Sequence, residues 1–109
     1  HLPDTVSTAY MLFYDFNEST ADDGKDLLKE LAAVLMLTDA TATINGFKDA
    51  AEDGELDQAR VDEIRKFLIG QGVESSKFQG LARGVPPAIS AADDGVTSRR
   101  VEVFIQPPS

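Results

Sequence analysis

Twice along this chain, a run in which apolar side chains alternate gives way to one in which they return every third or fourth residue. Alternation turns one face of a strand inward and the longer period turns one stripe of a helix inward, so each switch marks a change of element. The run 9–16, AYMLFYDF, is aromatic-rich with β propensity, and Asn17-Glu18-Ser19-Thr20 closes it with turn formers. From Asp22 the period lengthens. Leu27, Leu28, Leu31, Leu35 and Thr38 share a helical face, and Asp22, Asp23 and Asp26 gather at its start, where the helix dipole favours acids. Thr20 with Asp23 forms a variant capping box ahead of it. Thr41 to Phe47, TATINGF, alternates again, with Ala42, Ile44 and Gly46 on one side. A second helix follows, carried by Leu56, Ala59, Val61, Ile64, Phe67 and Leu68 and closing at Gly70 and Gly72.

Val73 to Arg83 carries a third strand after a turn, ended by Gly84-Val85-Pro86-Pro87, and Ala88 to Ser98 reads as a loop. Arg99 to Gln106, RRVEVFIQ, sets Val101, Val103 and Ile105 against Glu102 and Phe104, and Pro107-Pro108 stops it. The order βαβαββ predicts an α+β fold, a mixed four-stranded sheet with helices packed on one face. Neither an internal repeat nor a dividing linker interrupts the 109 residues, so one domain over 1–109 is expected, with its ordered core from about 9 to 106.

Charge and composition narrow the function. Lys and Arg number 10 against 19 Asp and Glu, a formal net charge of −9. That balance argues against nucleic acid as a partner, because phosphate binding draws on clustered cations, and Arg65-Lys66 and Arg99-Arg100 are small clusters. The chain has no Cys, and its one His is residue 1, beside a start that is not Met and is expected to mark a processing boundary. Thiol nucleophiles, disulfides, Cys-ligated metals and a Ser-His-Asp triad are therefore excluded, which disfavours an enzyme. The longest apolar run, Leu31 to Leu37, falls far short of the roughly 20 residues that cross a bilayer, so no membrane insertion by this domain is expected.

Four segments, in order, resemble the OmpA-like peptidoglycan-binding domain family over about Leu12 to Ile105. Phe13-Tyr14-Asp15-Phe16-Asn17 is similar to the family's opening aromatic-Asp-Phe strand, and Asn45-Gly46-Phe47-Lys48-Asp49 resembles its Gly-His-Thr-Asp segment. Leu56 with Arg60, Ile64, Leu68 and Gly72-Val73 follows the spacing of its Leu-Ser-x-x-Arg-Ala helix, and Ser98-Arg99-Arg100-Val101-Glu102 resembles Asn-Arg-Arg-Val-Glu. The departures fall on the ligand side. The stretch from Asp49 to Asp53 is shorter than the family's loop, Lys48 replaces Thr, Asp53 and Ser98 replace Asn, and Asp57 replaces Ser.

The resemblance implies a non-catalytic module that anchors a larger envelope protein to the cell wall, in the periplasm, through the diaminopimelate of a peptidoglycan stem peptide. It implies no cofactor and no metal. Asp49 is then the acceptor for the ligand ammonium and Arg60 the donor to its carboxylate, a role that suits the planar fork of a guanidinium. Leu56, four residues before Arg60 on the same helix face, floors the pocket, and Asn17 and Asp53 contact the ligand. Strand alternation sends Arg99 and Arg100 to opposite faces, and Arg99 is the one assigned to the pocket. The alternative is an OmpA-like domain that has lost muropeptide binding and serves as a protein-interaction or structural module. In that reading Asp49 and Arg60 pair with each other, and Lys48 competes for Asp49. The acidic run Asp49, Glu52, Asp53, Glu55 and Asp57 is a poor match to a calcium loop, with Ala51 and Arg60 at ligand positions, and is expected to be a solvated helix start.

Overall fold

The computed structural model describes residues 8–20, 24–86 and 98–107. Its elements are β1 (Thr8–Phe13), α1 (Lys25–Leu37), β2 (Thr41–Gly46), α2 (Leu56–Gln71), β3 (Phe78–Ala82) and β4 (Arg100–Gln106), with a 3₁₀ turn at Ser75–Lys77. The four strands form one sheet in the order β1-β4-β2-β3. β4 runs antiparallel to both β1 and β2, whereas β3 is parallel to β2, with α2 in the connection between them. The sheet is mixed and the fold α+β, as the period switches predict.

The register sets which side chains meet. Leu12 lies opposite Val101, and Val103 lies between Tyr10 and Ile44. Leu12, Val101, Val103, Ala42, Ile44 and Phe78 are buried against Leu28, Leu31 and Leu35 of α1 and Val61, Ile64 and Leu68 of α2. Met11, Phe13 and Leu81, which alternate with the inward residues, are exposed. Burying that inward face is the main favourable term in folding, at about 25 cal/mol per Å² of apolar surface.

α2 lies unusually close to the sheet because two strand positions carry no side chain. A Cβ on Gly46 would run into the carbonyl of Asp57 and the side chain of Val61, and one on Gly80 into Val61 and Arg65. This approach brings the first turns of α2, and with them Arg60, against the end of β2.

Several boundaries differ from expectation. The first strand ends at Phe13, because Glu18 N donates to Asp15 O at 3.0 Å and the turn begins earlier than the turn-forming residues suggest. α2 passes through Gly70 and closes at Gly72, whose φ of 104° is the left-handed conformation that favours glycine there. Only 78–82 of the expected third strand pairs; the residues before it form the 3₁₀ turn. Gly24 is the N-cap of α1, with no side-chain cap bond. Asp23 of the expected capping box and most of the expected loop from Ala88 lie outside the described residues.

Candidate functional site

The ends of β1 and β2, the loop between β2 and α2 and the second turn of α2 converge on one guanidinium. Arg60 is fully buried. Its five N–H groups have five acceptors. Nε donates to Glu18 O at 2.9 Å, Nη1 to Phe47 O at 3.1 Å and Glu52 Oε1 at 2.7 Å, and Nη2 to Asp15 O at 3.3 Å and Glu52 Oε2 at 2.5 Å. The Tyr14 ring stacks beneath it, 4.8 Å from centroid to Cζ. A buried guanidinium persists only when every donor is matched and its charge is neutralised, and both conditions are met here.

The neutralising acid is Glu52, not Asp49. Both side chains of the Arg60–Glu52 pair are at 0% exposure. Besides the guanidinium, the carboxylate accepts from Asn17 N at 2.7 Å and from Asp49 N at 3.0 Å. Burial pushes the Glu52 carboxyl up, but the Arg60 bonds and the two backbone amides outweigh it and hold the group below the usual carboxylate range. Burial likewise raises the Tyr14 hydroxyl above its ordinary range, against the lowering effect of Arg60.

The Asp49–Arg60 ion pair of the alternative reading is therefore corrected. Asp49 instead faces Arg99, whose Nη1 is 3.5 Å from Asp49 Oδ2 and whose Nε donates to Tyr14 O at 3.0 Å. Lys48 does not compete for Asp49: its Nζ donates to Glu52 O and Gly54 O, tying the loop to the end of β2. Nor is the acidic run wholly solvated, since Glu52 points inward while Asp53 and Glu55 are exposed.

The remaining candidates lie around this hub. Asn17 adopts φ 60°, a left-handed conformation that Asn tolerates better than most residues, and exchanges hydrogen bonds with Asp53. Asp53 N donates to Asn17 Oδ1 at 2.9 Å, and Asn17 Nδ2 to Asp53 Oδ2 at 3.2 Å. Leu56 opens α2 and is half-buried, one turn before Arg60. The structure thus gathers Asn17, Asp49, Asp53, Arg60 and Arg99 at one end of the sheet. The residue that sequence reasoning left out is Glu52. Its signal is present in the shortened loop, where an acid lies within reach of an arginine eight residues on, but four neighbouring acids carry the same signal.

The other face of the same junction holds an apolar cavity of about 210 Å³ between α1 and α2, lined by Tyr14, Leu28, Ile64 and Phe67. Tyr14 separates it from the guanidinium.

No sequence family and no curated protein matches the chain. Solved structures do match its fold. The peptidoglycan-associated lipoprotein from Burkholderia pseudomallei superposes with a TM-score of 0.78 at 22% identity, over 88% of this chain and 89% of that one. The OmpA-like domain of FopA1 from Francisella tularensis gives 0.80 at 15% identity, over 99% and 77%. The cell wall anchor of the T6SS from Pseudomonas aeruginosa gives 0.76 at 18%, over 94% and 82%. At these identities the likeness establishes the fold: the chain folds as an OmpA-like domain.

Proposed function

We propose that this OmpA-like domain is a non-catalytic module that holds an envelope protein to the cell wall in the periplasm, by seating the diaminopimelate end of a peptidoglycan stem peptide. Two of its fold neighbours are a peptidoglycan-associated lipoprotein and a cell wall anchor, which supports the coarser part of the reading. The observation that carries the finer part is that Arg60 already seats a carboxylate bidentately, next to Asp49, which already faces a cation. Opposite charges set side by side in this way suit a zwitterion, with Arg60 to its carboxylate and Asp49 to its ammonium. Asn17, Asp53, Leu56 and Arg99 form the surround.

Complete use of the Arg60 donors within the chain favours a second reading, an OmpA-like domain whose junction is structural and whose partners are other envelope proteins. The net charge of −9 supports it too, since stem peptides carry carboxylates of their own. Titration with a diaminopimelate muropeptide and its lysine counterpart, followed by NMR, separates the two. Amide shifts around Asn17, Asp49 and Asp53 that are specific to diaminopimelate and absent in Asp49→Ala support anchoring; no shifts at millimolar ligand supports the structural reading.

A further inference from the structure

The loop that carries Glu52 is attached in an uneven way. Of residues 50–55, Glu52 alone is buried; Ala50, Ala51, Asp53, Gly54 and Glu55 are all exposed. No member of the hydrophobic core lies between Ile44 and Val61. Beyond the Glu52 carboxylate, the loop is held by hydrogen bonds alone: the exposed Asn17–Asp53 exchange, Lys48 Nζ on the carbonyls of Glu52 and Gly54, and the turn bonds of Ala51 N and Glu52 N to Asp49. Lifting it would break hydrogen bonds but expose no apolar core. The seat itself would stay, because the carbonyls of Asp15, Glu18 and Phe47 and the Tyr14 ring belong to other segments and keep the guanidinium in place.

We propose that Glu52 is a tethered internal ligand of Arg60, so that the seat holds one carboxylate at a time, either from the chain or from outside. The inference deepens the anchoring reading, on which its stem-peptide form rests. An incoming carboxylate replaces Glu52 one for one: two guanidinium bonds and the amide bonds from Asn17 and Asp49 pass from one carboxylate to the other, with no change in net charge at the hub. Exchange is required because no guanidinium N–H is left over. The loop acts as the exchanging element, with Gly54, at φ 61° in open space, at its far end. The apparent affinity for any external carboxylate is then lowered by the fraction of time the loop spends lifted.

The test removes the tether and supplies the carboxylate separately. Glu52→Ala should melt below wild type and be restored by sodium acetate in a saturable way that sodium chloride does not reproduce. Wild type should need more acetate, because Glu52 competes for the seat, and the Arg60 Nε resonance should shift at lower acetate concentration in the variant than in wild type. A folded Glu52→Ala indifferent to acetate would overturn the proposal. Glu52→Gln, which keeps the shape of the loop, covers the case in which the alanine variant does not fold. Its Arg60 Nε resonance should respond to acetate at about tenfold lower concentration than wild type, and equal responses would again overturn it. A diaminopimelate muropeptide forms a separate arm. If acetate binds Glu52→Ala and the muropeptide does not, the exchange stands and the anchoring function falls. If sacculi retain wild type but acetate does not rescue the variant, anchoring stands and the exchange falls.

Discussion

Glu52 and Arg60 form a bidentate ion pair with neither side chain exposed to solvent, and the pair ties four separate segments of the chain together at one end of the sheet. A buried pair contributes little relative to apolar packing, but breaking it strands a charge. Its consequences for stability follow from that asymmetry.

Arg60→Ala leaves Glu52 buried without a counter-charge and removes the donor from three backbone carbonyls. The expected loss is about 3–5 kcal/mol, read from urea denaturation at neutral pH. Asp49→Ala, which removes a partly exposed pair with Arg99, should cost no more than about 1 kcal/mol. Equal costs for the two variants would contradict the assignment of Glu52 as the partner of Arg60.

The pH dependence follows from the lowered Glu52 carboxyl. Because its folded-state value lies below the ordinary 4.5, the unfolded chain takes up this proton first. The stabilising contribution is complete above the ordinary carboxylate range and is lost as pH falls through the lowered folded value. Urea midpoints measured from about pH 7 to about pH 3 should therefore fall more steeply in wild type than in Glu52→Gln, which has no proton to take up at this site.

Asn17 combines a left-handed backbone with a side-chain clasp, and two substitutions separate them. Asn17→Gly keeps the conformation but loses the bonds to Asp53, whereas Asn17→Ala loses both, so alanine should cost more, by about 1 kcal/mol. In both variants the Asp53 amide, which donates to Asn17 Oδ1, should lose its protection from hydrogen exchange.

Close approach of α2 to the sheet predicts opposite outcomes for two glycines. Gly46→Ala places a methyl against the Asp57 carbonyl and Val61, and overpacking of this kind costs about 1–3 kcal/mol. Gly70 lies within α2 with open space where a Cβ would go, so Gly70→Ala should stabilise by about 0.5–1 kcal/mol. Thermal denaturation of the two variants checks both signs.

The elements were legible in the residues because their causes are local. The stripe Leu28, Leu31 and Leu35 and the alternation Ala42 and Ile44 each fix an element and its inward face, and the observed core contains those residues, while Gly72 fixes where α2 ends. The resemblance across four segments also reached the fold and drew Asn17, Asp49, Asp53, Arg60 and Arg99 to one place. The short third strand was less legible, since its parallel pairing with β2 depends on α2 packing across the sheet, and nothing in 73–83 specifies where pairing begins.

The sequence singled out Arg60 on the second helix as a carboxylate donor, to a ligand or, in the alternative reading, to an acid of the chain. Which acid it faces was decided by tertiary structure. Asp49, Glu52, Asp53, Glu55 and Asp57 lie close along the chain and carry equivalent carboxylates. The choice depends on how a short loop turns between a strand end and a helix start, and on which backbone amides it meets there. Glu52 alone is turned inward, onto the amides of Asn17 and Asp49 and the guanidinium of Arg60. Pairing across a closed loop depends on the positions of segments distant in sequence, and these are fixed only when the sheet and α2 pack together.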